Sequence, residues 1–99
     1  MINEVHIYLG SSVATEQTDG NYEVGNRHPF LLFIKYESDS EYRQNDAREI
    51  LSENWWEDTI LEKSGKLYET PTKEDMIEPY NSAISLGSAL VIYSEPLKD

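Results

Sequence analysis

The sequence predicts an α+β domain, a two-layer sandwich in which a mainly antiparallel sheet of about five strands carries two helices on one face. Three observations lead there. Short runs rich in strand formers, above all Phe30–Tyr36 (FLLFIKY), alternate with two stretches of helical apolar spacing. Turns bearing Gly or Pro separate these runs. At 99 residues the chain has the size of one domain with one core, so residues 1–99 are expected to fold as a unit.

Residues 3–9, with Val5, Ile7, Tyr8 and Leu9 ahead of Gly10-Ser11-Ser12, read as the first strand. From Ser11 to Pro29 the chain is rich in turn formers and only Tyr22–Val24 can pair, which predicts a long loop or an irregular hairpin arm. Phe30–Tyr36 is nearly continuous in apolar residues and reads as a central strand covered on at least one face. Ser38-Asp39-Ser40 then offers helix-start side chains. Ala47, Ile50, Leu51 and Trp55 follow at helical spacing, placing a helix over about 40–55.

Further on, Glu62-Lys63-Ser64-Gly65-Lys66-Leu67 has the Gly-centred turn of a tight hairpin joining strands 58–63 and 66–70. Thr72-Lys73-Glu74-Asp75 resembles a capping box with Asp in place of Glu. Met76, Ile77, Tyr80, Ala83 and Ile84 form a second helical stripe. Pro79 is expected to kink that helix or restart it, and Gly87 to cap it. Ala89–Tyr93 reads as the last strand.

Charge is the feature furthest from average, with 19 acidic against 8 basic residues and a formal net charge of -11. Such a field repels nucleic acid and anionic lipid and attracts basic surfaces. It is also concentrated: residues 37–62 hold nine acids against Arg43 and Arg48, which accounts for seven of the eleven net charges. The expected partner is therefore a basic protein, with no direct nucleic acid and no membrane. The start MINEVHIYLG lacks a basic end and a long apolar run, and the expected compartment is the cytoplasm.

On a helical wheel Ala47, Ile50, Leu51 and Trp55 share one half, while Tyr42, Asp46, Glu49 and Glu53 form a neighbouring ridge. Glu49 and Glu53 are a like-charge i, i+4 pair with no Lys spaced to relieve it. In SENWWED, Trp55 is in phase with the apolar stripe and is expected in the core. Trp56, a further 100° around, either packs at the sheet's rim or lies exposed beside Glu57 and Asp58. The candidate partner-binding residues are Tyr42, Asp46, Glu49, Glu53, Trp56, Glu57 and Asp58. A plainly solvated helix face is the competing reading of the same residues.

Nothing in the pattern points to catalysis. There is no Cys, and neither His6 nor His28 has zinc-site or nucleophile spacing. No calcium loop or phosphate loop occurs. The expectation is a protein that is not an enzyme and has no cofactor or metal.

In overall style, a compact acidic α+β chain with an acidic helix and several exposed-looking aromatics, the sequence resembles the small immunity proteins of bacterial toxin systems, including contact-dependent inhibition and type VI secretion. The likeness spans the whole length without a diagnostic motif. It implies one-to-one binding to a cognate toxin domain, often a basic nuclease, whose active site or neighbouring surface is covered. The alternative from another class is a phage- or plasmid-encoded phosphate mimic that inhibits a nucleic-acid-binding defence protein of the CRISPR or restriction type. The mimic needs two rows of carboxylates, whereas a toxin antagonist needs one compact patch.

Overall fold

A computed structural model of the chain describes residues 3–20 and 22–97. The elements run β1 (Asn3–Ala14), β2 (Arg27–Glu37), α1 (Gln44–Glu53), β3 (Trp56–Leu67), α2 (Glu74–Leu86) and β4 (Ser88–Ile92). The strands form one antiparallel sheet in the order β3-β1-β2-β4. An α+β domain with a single antiparallel sheet and two helices is what the sequence predicts. Two details differ.

The sheet has four strands, because Ser64-Gly65-Lys66 is strand and not turn. β3 runs unbroken past it, paired from Ala14↔Trp56 to Val5↔Leu67, with register shifts opposite Leu9/Gly10 and Ser11/Val13. Each shift admits an extra residue, so side-chain parity changes along β3. Trp56, Leu61 and Lys66 consequently share one face although their numbers alternate irregularly. Gly65, which imitates a hairpin turn, pairs in regular register with Ile7. Gly10 sits at one shift, where an added Cβ would lie 2.1 Å from the Ile60 carbonyl oxygen.

The helices lie on opposite faces, giving three layers. Phe30, Leu32 and Ile34 of β2 join Tyr8, Ala47, Leu51 and Trp56 in one apolar cluster beneath α1. Phe33 joins Val5, Tyr80 and Ala83 in the other, beneath α2. Alternate strand residues point to opposite faces. The near-continuous apolar run of β2 is therefore the signature of a strand covered twice.

α1 begins later than expected, with Arg43 as its cap residue and no side-chain cap. Ser40 is committed elsewhere, its Oγ donating to the Glu37 carbonyl at 2.6 Å and its N–H to Glu4 Oε1 at 3.1 Å. The capping box at Thr72–Asp75 does not form either: Lys73 caps α2 without a side-chain bond, and Glu74 and Asp75 complement the helix dipole instead. Pro79 lies within α2 and does not end it, although the Asp75 carbonyl loses the donor an ordinary residue would supply. Gly87 closes the helix as expected, at φ 101° with its N–H on the Ala83 carbonyl at 2.8 Å. Among the described residues, no helix is long and apolar enough to cross a membrane.

Candidate functional site: an acidic corner around Trp55

The helix stops at Glu53, and this early stop exchanges the expected roles of the two tryptophans. Beyond Glu53, Trp55 no longer follows the helical wheel. Its backbone adopts φ 66° and its side chain is 55% exposed. Trp56 becomes the first residue of β3, facing inward opposite Ala14, and is only 5% exposed. Its ring meets Tyr22 at 5.1 Å and His28 at 5.8 Å between centroids. The assignment of Trp55 to the core and of Trp56 to the binding surface is corrected accordingly.

A left-handed backbone costs a non-glycine residue roughly 1–2 kcal/mol. Here the conformation is held from outside. The Trp55 carbonyl accepts hydrogen bonds from Thr15 Oγ1 at 2.7 Å and Thr18 Oγ1 at 2.6 Å. Thr18 is in turn fixed by the Thr15 N–H at 2.8 Å. The turn after β1, read from sequence only as a loop, is thus the clamp that presents an exposed indole. The left-handed residue follows the α1 C-cap Asn54, a common place for a helix to end.

Close to this indole along the chain, Glu49 and Glu53 lie on α1 and Glu57 at the start of β3, all exposed. Among the described residues none of the three has an ion-pair partner. The nearby cations are otherwise engaged: Arg48 Nη1 donates to the Thr59 carbonyl at 2.7 Å, tying α1 to β3, and the Arg43 guanidinium lies 5.8 Å from the centre of the Tyr36 ring. Asp58, itself at φ 50°, pairs with Arg27, which also donates to the Asp58 carbonyl at 2.9 Å. The corner therefore keeps most of its negative potential.

No protein-family model, curated protein or solved structure matches this chain.

Two other predicted residues are drawn away from the corner. Asp46 turns toward the sheet and accepts from the Tyr36 hydroxyl at 2.7 Å. Burial first, and then this bond to Asp46, push the Tyr36 phenol far above its usual range. Tyr42 precedes α1, so it is not on the helical ridge; its ring packs 5.1 Å from His6, with the Lys66 ammonium 5.3 Å from its centre. Of the predicted set, Glu49, Glu53, Glu57 and Asp58 remain exposed on the segments that flank Trp55.

Sequence reading missed a second cluster, on the α1 face of the sheet. Glu4 and His6, two apart on β1, are both buried, with Glu4 Oε2 2.9 Å from His6 Nε2. Because a carboxylate only accepts, His6 donates from Nε2. Lys66, opposite His6 on β3, places Nζ 3.5 Å from the same carboxylate and donates to the Ser40 carbonyl at 2.6 Å. Glu4 thus joins β1, β3 and the loop that leads into α1. The visible signal was the spacing of Glu4 and His6 within an otherwise apolar strand.

Burial works to raise the Glu4 pKa, but the bonds from His6 and the Ser40 and Asp39 N–H groups, with Lys66 nearby, outweigh it and hold the carboxyl below its ordinary value near 4.5. A depressed folded-state pKa means that the network's stabilisation is complete above about pH 5 and is lost as pH falls through the folded value. We expect Glu4→Gln to be less stable than wild type at neutral pH. In thermal melts the gap should narrow as pH is lowered toward about 3; a constant gap would remove Glu4 ionisation from the account.

Proposed function

We propose that this domain is a non-catalytic binding protein that docks its acidic corner onto a basic protein surface, as an immunity protein does in neutralising its cognate toxin. One observation carries the reading: an exposed tryptophan is held at positive φ on a segment flanked by exposed carboxylates without ion-pair partners. A merely solvated acidic face has no use for such an indole. Exposed carboxylates accelerate the approach to a basic cleft, and an aromatic anchor buried on contact slows departure.

The test pairs the protein with the product of the adjacent reading frame and measures growth on co-expression and binding kinetics of the purified pair. Protection from toxicity is expected. Glu49→Lys with Glu53→Lys and Glu57→Lys should slow association at least about tenfold at low salt while leaving dissociation nearly unchanged. Trp55→Ala should act on dissociation instead. An association rate indifferent to the three reversals would eliminate the acidic corner as the contact.

A further inference from the structure

The sheet has two free borders, and they are built differently. β3 is bulged twice, includes Asp58 at positive φ, and carries Glu57, Glu62, Lys63 and Lys66. These are devices that discourage another strand from pairing. β4, with the sequence SALVI, has no charge and no proline, and its register with β2 is unbroken from Phe30↔Ile92 to Ile34↔Ser88. Among the described residues nothing pairs with its outer side.

Two flanking hydrogen bonds show which backbone groups are free. The Tyr93 N–H donates to the Pro29 carbonyl at 3.0 Å, and the Lys35 N–H to the Gly87 carbonyl at 2.9 Å. In an antiparallel ladder every second residue bonds to the same neighbour. Residues 87, 89, 91 and 93 therefore bond to β2. The N–H and C=O groups of Ser88, Leu90 and Ile92 point outward.

The two sides of this border also differ in chemistry. On the α1 face lie the half-buried side chains of Leu90 and Ile92. On the α2 face an open groove of about 380 Å³ is lined by Ala89 and Val91 together with Glu74, Asp75, Glu78 and Pro79. Pro79 also leaves the Asp75 carbonyl without its helical donor.

We propose that the β4 edge accepts an extended segment of a basic protein, added as a fifth strand, with apolar side chains over Leu90 and Ile92 and alternating Lys or Arg side chains beside Glu74, Asp75 and Glu78. A second copy of this chain is a poor occupant. Antiparallel β4 pairing about a two-fold axis perpendicular to the sheet would set one α2 beside the other on the same face, bringing like acids together. Because β4 and the acidic corner lie at opposite borders of the sheet, this inference does not depend on the function proposed above.

The probe is a synthetic peptide of about eight residues alternating Val and Lys, titrated into the isotope-labelled full chain and followed by amide NMR. Shifts and slowed hydrogen exchange are expected at the Ser88, Leu90 and Ile92 amides, with much smaller changes in exchange at Ala89 and Val91. Glu78→Lys should weaken binding about tenfold. Leu90→Pro, which removes an outward donor and leaves the β2 ladder intact, should abolish it. An alternating Val and Glu peptide should not bind. The inference is overturned if the Lys peptide shifts only the Glu49–Asp58 region, if neither peptide or both bind at β4, or if sedimentation shows a dimer of the chain that Leu90→Pro or Glu78→Lys disrupts.

Discussion

Trp56→Ala is expected to lower stability by about 3–5 kcal/mol, whereas Trp55→Ala should change it by less than about 1 kcal/mol. The difference follows from position. Trp56 fills the space between β1, Tyr22 and His28 at the end of the α1-side core, so truncation leaves a cavity the neighbouring rings cannot easily close. Trp55 offers most of its surface to solvent, so truncation to alanine, which keeps the same left-handed backbone, loses little packing. Trp55→Gly should be neutral or mildly stabilising, because glycine removes the Cβ that strains a left-handed backbone. Urea unfolding followed by circular dichroism separates the two sites, and equal losses at both would refute the assignment.

The second large effect is expected at Gly10. An alanine there places its Cβ 2.1 Å from the Ile60 carbonyl oxygen and 3.1 Å from the Phe30 ring. The first obstacle is backbone, held by the β1–β3 ladder, so no side-chain rotation relieves it. We expect Gly10→Ala to cost roughly 3 kcal/mol or more, as overpacking at a fixed site does. Gly65→Ala is the matched control, because nothing lies within 4 Å of its added Cβ. If both variants melt together, the close approach of β1 and β3 at this point is wrong.

These two sites also show how far the sequence could be read. The α+β class was legible because apolar periodicity in FLLFIKY and in Met76–Ile84 is a property of short windows. What was not legible depended on contacts between distant segments. The helix ends at Glu53 because Thr15 and Thr18, about forty residues earlier, hold the Trp55 carbonyl in a turn, and no local pattern around SENWWED announces that. Ser64-Gly65 likewise imitates a hairpin when seen alone, because the strand it pairs with, at Tyr8 and Ile7, is distant in the chain. The even and odd apolar positions of β2 did encode two covered faces, yet their meaning emerged only once each had a helix above it. At the candidate site, the exposure of Glu49, Glu53, Glu57 and Asp58 follows from their charge. The exposed indole on the same segment was misassigned by extending the helical wheel two residues too far.

The placement of β1 between β3 and β2 has a consequence for how the chain is made. Its twelve residues leave the ribosome before either neighbour exists, and one of those neighbours begins more than forty residues later. Until β3 arrives, one side of the most buried strand waits with its backbone unpaired, so the fold closes late and all at once. Nascent chains stalled before residue 67 should therefore remain sensitive to protease, even though both strands of the β1–β2 hairpin have by then been synthesised.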